Sequence, residues 1–400
     1  MRLLVTLVVL ATVAIWGGLH LGFAKEKVQS KKPMEKVFPS SDKCKRCHLR
    51  AFEEWEASPL SRSIHTAAFR ASLYEYLASS AGKDQALCFR CHAPHVNEYV
   101  DQAKMFIAEA QSGDPAIDGV GCAQCHLIKQ VNHPPVPEFE LGKTLFGPYN
   151  DYVQNLAHES VSLEIFRKSR LCLNCHNSVP TPGDLGKAND LLGPWEKSQA
   201  VRAGKECQTC HMPEQFGESA NGEPKRRVAN HTFPGRVGKL RQEAAKLDIA
   251  TSVKGAKSHV TVTVQSLVPH NLPTTHPGWA RVVLELVIKG KNLKTVYTEK
   301  RVYGRVYVDA KGKETVFDFR ATKVLKNTVL KPEETRTERF IFPTPKDAPS
   351  MDVEAHLSYA PVKGPSKFLL RIEAESSMGS KDPVFHSIPI AKEGVNIPLR

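Results

Sequence analysis

The sequence predicts an α+β, multidomain chain: a mostly helical and loop-rich part over residues 41 to 240, followed by an all-β sandwich over residues 245 to 400. Two observations predict this. All ten cysteines of the 400-residue chain lie between Cys44 and Cys210, in a region of short apolar runs punctuated by proline and glycine. Past about residue 245 cysteine disappears, and apolar and polar residues alternate at the period of two that a half-buried strand requires.

The chain begins MRLLVTLVVLATVAIWGGLHLGFAKEK, with Arg2 as the one basic residue ahead of an uncharged run that ends at Lys25. The apolar centre, Leu3 to Trp16, has signal-peptide length, and Gly22-Phe23-Ala24 offers small residues at the positions a signal peptidase reads. Residues 1–24 are therefore expected to be an export signal. The uncharged run from Leu3 to Ala24 is close to the roughly 20 residues that span a bilayer as a helix, so an N-terminal anchor is the alternative. Either outcome places the body of the chain in the periplasm or outside the cell, tethered to the inner membrane if the leader is kept. Residues 25–40, KEKVQSKKPMEKVFPS, are basic and polar and are expected to form a solvated tether.

The next region carries the chemistry. Every cysteine belongs to one of five copies of Cys-x-x-Cys-His: Cys44, Cys47 and His48; Cys88, Cys91 and His92; Cys122, Cys125 and His126; Cys172, Cys175 and His176; Cys207, Cys210 and His211. Two thiols three positions apart can form thioethers to both vinyl groups of one haem, and the adjacent histidine then ligates the iron. Zinc ribbons and disulfide frameworks also use paired cysteines, but neither requires a histidine directly after every second cysteine. The motifs imply five covalently bound haem c groups and their iron. From Cys44 to His211 there are only about 34 residues per motif, fewer than the roughly 40 from which a chain usually builds an independent core. The haems are expected to be the core, close enough together for electrons to pass between them. Between the motifs, Ala68 to Ser79 and Glu98 to Gln111 read as helices, and VNHPPVPEFELGKTLFGPYND, residues 131–151, as loop.

In the last part, VTVTVQSLV (260–268), RVVLELVI (281–288), TVFDFRA (315–321), RTERFIFP, DVEAHLSYA and KFLLRIEAE read as strands separated by proline-bearing and charged turns, at sandwich-like spacing. Residues 251–400 hold 24 Lys plus Arg against 15 Asp plus Glu, a net +9, which makes this part a candidate docking surface for acidic redox partners. The chain as a whole is +13. Five ferric haems with ionised propionates would bring it to about +8. That excess fits solubility and docking to redox donors and acceptors; on an exported chain it does not argue for nucleic-acid binding.

Each iron then takes a second protein ligand or stays open, and that choice separates an electron carrier from an enzyme. Outside the motifs and His20 the candidates are His65, His95, His133, His158, His231, His259, His270, His276, His356 and His386. Met212 adjoins His211 and is badly placed to reach the far face of the same ring.

Several stretches narrow the choice: EEWEASPLSRSIHTAAF after the first motif, GVGCAQCH at the third, FGPYNDYVQNLAHES before the fourth, SRLCLNCHN at the fourth, and CQTCHMP followed by NHTFPG. Over most of residues 41–236 they resemble the multihaem cytochromes c related to the tetrahaem electron acceptor of nitrifying bacteria and, more distantly, hydroxylamine oxidoreductase. The resemblance implies that His65, His158 and His231 are distal haem ligands, although His65 lies seven residues beyond Ser58, farther than in the family's pattern. PHNLPTTHPGWAR is similar to a GHxLPTG element in the C-terminal domains of such cytochromes and makes His270 a candidate reaching a haem from the second domain. Pro269 and Thr275 stand where that element has glycines. His95 and His133 are the candidates for the remaining site.

The function expected is an exported electron carrier with mostly bis-histidine haems, in respiratory or extracellular electron transfer. Two alternatives stand beside it: an oxidoreductase acting on a small nitrogen or sulfur compound at one five-coordinate haem, and a subunit of a homo-oligomeric or larger cytochrome assembly. No CxxCK variant motif is present to mark a distinct catalytic haem.

Overall fold

The computed structural model describes residues 38–79, 87–97, 118–132, 136–151, 157–177, 190–235, 238–274, 280–346, 348–360 and 387–399. The leader and tether, the helix expected over Glu98 to Gln111, the KFLLRIEAE strand, and His133, His276 and His386 lie outside these residues.

The first half is built from short helices. Five come before the third motif: α1 (Ser41–Lys45), α2 (Leu49–Glu56), α3 (Ala67–Leu77), α4 (Phe89–His92) and α5 (Pro94–Asn97). Thr66 starts α3, its hydroxyl accepting from Phe69 N at 3.2 Å. Phe69, Leu73 and Tyr76, spaced four and three apart, give that helix its buried face. In α2 the buried pair is Phe52 and Trp55, and Trp55 Nε1 donates to Val120 O at 2.8 Å, tying α2 to the approach of the third motif. Then come α6 (Cys122–His126), α7 (Arg170–His176), α8 (Leu192–Glu196), α9 (Gln199–Arg202) and α10 (Cys207–His211).

This half also contains three two-stranded ribbons, which corrects the reading of residues 131–151 as loop. Strands β1 (Ile128–Asn132) and β2 (Val136–Phe139) pair antiparallel, β3 (Thr144–Gly147) pairs parallel with β4 (Glu159–Ser162), and β5 (Glu214–Gly217) pairs with β6 (Arg226–Ala229). The prolines that suggested loop are tolerated because each ribbon is all edge: Pro137 sits opposite Val131 with an outer side that needs no ladder hydrogen bond. Buried Ile128, Val131 and Phe146 supply the apolar side chains.

The second half holds β7 (Ala245–Lys254), β8 (Lys257–Ser266), β9 (Val282–Lys289), β10 (Thr295–Tyr303), β11 (Arg305–Val308), β12 (Glu314–Thr315), β13 (Lys323–Asn327), β14 (Thr335–Pro343), β15 (Ser350–Tyr359) and β16 (Ile388–Pro398). They form antiparallel sheets in the orders β10-β9-β15-β16, β14-β8-β7 and β12-β11-β13. Alternation places Val260, Val262 and Val264 of β8, Leu284, Leu286 and Ile288 of β9, Phe340 and Phe342 of β14, and Val353, Ala355 and Leu357 of β15 in one continuous apolar cluster shared by the first two sheets. Each such large side chain contributes about 1.5–3 kcal/mol on burial. The β7–β8 turn is closed by Gly255 at φ +58°.

The run 315–321 is not a strand beyond Thr315, the last residue of β12. Thr315 Oγ1 accepts from Phe317 N at 3.2 Å and Asp318 Oδ1 from Phe319 N at 2.9 Å, so local side-chain hydrogen bonds turn the chain into a single 3-10 turn over Asp318–Arg320. That turn meets the first half. Phe319 packs edge-on against Tyr76 at 5.3 Å, and Arg320 Nη2 donates to Glu75 Oε2 at 2.9 Å. A second contact is Gln199 N donating to the Glu333 carboxylate at 3.0 Å.

Candidate haem sites

Each motif is wound on one helical turn. Four lie on α4 with its preceding residue, α6, α7 and α10; in the first, the N–H groups of Cys47 and His48 both bond to Cys44 O, at 3.1 and 2.9 Å. Residues i, i+3 and i+4 of a turn share a face, so both thiols and the imidazole of each motif address one side.

Four of the five motif histidines are held alike. His48 Nδ1 donates to Ser219 O (2.7 Å), His92 Nδ1 to Ser63 O (3.0 Å), His126 Nδ1 to Phe146 O (2.6 Å) and His211 Nδ1 to Pro234 O (2.5 Å). A carbonyl oxygen only accepts, so Nδ1 carries the proton and Nε2 presents a lone pair. This is how metal-ligating histidines are oriented.

Three of the second histidines share that arrangement. His158 Nδ1 donates to Glu159 O (3.2 Å), His231 Nδ1 to Ala229 O (3.1 Å) and His270 Nδ1 to Asn271 O (3.1 Å). Each faces a motif histidine: His48–His158 at 6.2 Å between ring centroids, His126–His231 at 6.5 Å and His211–His270 at 6.4 Å, with rings inclined by 30°, 31° and 25°. Metal–nitrogen bonds of about 2 Å, with each centroid about 1 Å behind its nitrogen, separate the rings of two imidazoles on one iron by roughly 6 to 6.5 Å. The spacing is too wide for ring contact and fits an iron between the rings. The residues present therefore fit a haem at the first, third and fifth motifs.

Burial disfavours the charged form of three of them, pushing His231 and His270 down to about 4 and lowering His126 against the opposing effect of the Phe146 carbonyl. The His270 loop is fixed from behind: Leu272 and Leu330 exchange backbone hydrogen bonds of 2.9 and 3.0 Å, both are buried, and Arg305 Nη1 donates to Thr274 O at 3.0 Å.

The motifs also touch one another. Cys44 lies beside Cys122 and Cys172 beside Cys207, the Cys91 Sγ is 3.8 Å from Cys175 O, and Cys125 lies within electrostatic range of Cys172 and Cys175. The attachment sites thus run from the first motif through the third to the fourth, which adjoins both the second and the fifth.

Of the other candidates, His95 is buried and bonded to Gln124, and His65 sits in the turn before α3, two residues from the Ser63 carbonyl that orients His92. His259 lies within β8 and His356 within β15, where His356 Nε2 is 3.0 Å from Glu354 Oε2. An Nε2 engaged by a carboxylate marks a surface histidine rather than a ligand. The carbonyls of Ser219, Phe146, Pro234 and Ser63 are functional groups that motif spacing does not reveal, since they come from segments 20 to 171 residues away.

Residues 43–127 match the family described as cytochrome c554 and c-prime. The chain is similar to a penta-heme cytochrome c552 from Thermochromatium tepidum, whose crystal structure superposes with a TM-score of 0.67 at 20% identity over 92% of this chain and 100% of that one. This shows a shared fold and, with the motifs, supports a multihaem c-type cytochrome. A glycosyl hydrolase family 2 member from Bacteroides cellulosilyticus aligns with 39% of this chain and 15% of its own at 17% identity, but its TM-score of 0.19 carries no argument. No curated protein matches the chain. Among the described residues no helix is long and apolar enough to cross a membrane.

Proposed function

We propose that this chain is an exported pentahaem cytochrome c that carries electrons through closely spaced, mostly bis-histidine haems in respiratory or extracellular electron transfer. The observation that carries the reading is the set of three histidine pairs at 6.2, 6.5 and 6.4 Å, each ring with its Nδ1 proton given to a main-chain carbonyl. When bound, each haem supplies an iron that takes up and releases one electron, at a potential set by ligands, burial and hydrogen bonding. The paired histidines would hold those irons from both sides and leave no room for substrate, which favours transfer over catalysis. His65, His95 and His133 are the candidates to complete the sites of His92 and His176.

The adjoining motifs offer a route from the first through the third to the fourth, with branches at the second and fifth. His270 joins the second half of the chain to the fifth site, so we read that half as a β-sandwich that both caps a haem and presents the net +9 of residues 251–400 to an acidic redox partner. Residues 1–24 direct export or anchor the chain to the inner membrane.

Carbon monoxide titration of the dithionite-reduced protein tests the reading, because the gas binds only an iron with an open position. Little or no binding, with five haems per chain by pyridine haemochrome assay, is expected. A stoichiometric complex that also turns over nitrite or hydroxylamine would replace electron carriage with catalysis at a five-coordinate haem.

A further inference from the structure

We propose that the buried side chain of Gln124 is the positioning residue of an axial histidine, His95, and thereby sets the reduction potential of one haem. The inference rests on the pentahaem reading above.

His95 and Gln124 are both 3% exposed, and Gln124 Nε2 lies 2.8 Å from His95 Nδ1. With the amide in that orientation, Gln124 Oε1 is buried without a donor, an unfavourable state for a polar atom. Reversing the amide removes the conflict. Oε1 then accepts from His95 Nδ1–H, and the NH2 group takes the place Oε1 had, 2.8 Å from the point a Gly121 Cβ would occupy. Absence of a side chain at Gly121 is what leaves room for the amide.

Reversed, the pair gives His95 the tautomer found in the seven histidines described above, with Nδ1 protonated and the Nε2 lone pair free for iron. Those seven donate to fixed main-chain oxygens, whereas His95 donates to a side chain. A main-chain carbonyl cannot be exchanged by mutation; an amide can. Gln124 lies inside the third motif, between Cys122 and Cys125, so the structure that attaches one haem also orients a ligand of another. His95 directly follows the turn of His92 and is badly placed to reach the far face of the ring His92 holds. Its iron is therefore one attached elsewhere.

The test uses the full-length holoprotein and three variants, each first checked for five haems per chain by pyridine haemochrome assay; a wild-type count other than five would overturn the pentahaem reading and not this assignment alone. In His95→Gly one haem of five should become high-spin in the electron paramagnetic resonance spectrum and return to low-spin on adding imidazole. In Gln124→Glu a carboxylate accepts the Nδ1 proton, raises ligand basicity and stabilises ferric iron, so one midpoint potential should fall while all five haems stay low-spin. Gln124→Leu should move the same potential the other way. Five unchanged low-spin haems in His95→Gly would overturn the assignment of His95. An unchanged redox titration in Gln124→Glu would overturn the role of Gln124, even if His95→Gly failed to accumulate.

Discussion

Replacing His270 by alanine is the sharpest perturbation of the arrangement, because that imidazole, on a loop of the second half, faces His211 of the first. The His211–His270 spacing of 6.4 Å fits one iron, so deletion would leave one iron of five with a single histidine, and about a fifth of the haem should become high-spin and able to bind carbon monoxide. Loss of a metal bond belongs to the few single-residue changes that exceed the usual range, and on the order of 3 kcal/mol is reasonable here. With roughly 2–4 °C per kcal/mol for a unit of 150–250 residues, the transition of the β half should fall by roughly 6 to 12 °C. The other contacts between the halves, Tyr76 with Phe319, Glu75 with Arg320 and Gln199 with Glu333, remain and should keep the variant folded. Paramagnetic resonance of the oxidised protein, carbon monoxide titration and calorimetry read the three effects. Five low-spin haems in a variant that melts like the parent would refute the assignment of His270.

His158→Ala and His231→Ala should each produce one high-spin haem by the same assay, whereas His356→Ala should produce none, because its Nε2 is engaged by Glu354. Phe319→Ala should lower the melting temperature of the β half by the equivalent of about 0.5–1.5 kcal/mol beyond the lost apolar area, through the pair with Tyr76; an unchanged melt would show that this contact does not hold the halves together. Leu284→Ala, at a fully buried position of the shared apolar cluster, should cost 2–5 kcal/mol by denaturant unfolding; about those limits a much smaller loss would mean that the two sheets do not pack. Glu354 is held down at about 2, first by Lys289 and then by His356 and Lys392. Its stabilising contribution is therefore complete above the unfolded carboxylate value of about 4.3 and is lost as pH falls through about 2. Glu354→Gln should lower the melting temperature slightly at pH 7, by the equivalent of less than about 1 kcal/mol for so exposed a network, and the difference should shrink below pH 4.

Much of the site was legible in the sequence because covalent attachment needs local spacing: Cys-x-x-Cys-His fits on a single turn, and each copy folds as one. The partners of those histidines were a different matter. His48 and His158, His126 and His231, and His211 and His270 are 59 to 110 positions apart, and only the assembled fold sets which faces which. Resemblance singled out His158, His231 and His270 as candidates without saying which motif histidine each faces. In the β half the alternation of Val260 to Val264 and of Val282 to Ile288 marked strands because one face is wholly apolar. The same rule failed for TVFDFRA, where Thr315 and Asp318 hydrogen-bond their own backbone and Phe319 is drawn onto Tyr76. It also passed over β7, whose residues alternate but bury little beyond Ala245. The ribbons at residues 128–147 were hidden by prolines that only an edge strand accepts.

The most direct test of the account is the low-temperature paramagnetic resonance spectrum of the oxidised wild-type protein, with haem quantified on the same sample. The account predicts five haems per chain, with at least the first, third and fifth low-spin with two nitrogen ligands. High-spin iron amounting to more than two haems per chain would contradict it, because at least one of the three histidine pairs would then fail to hold its iron.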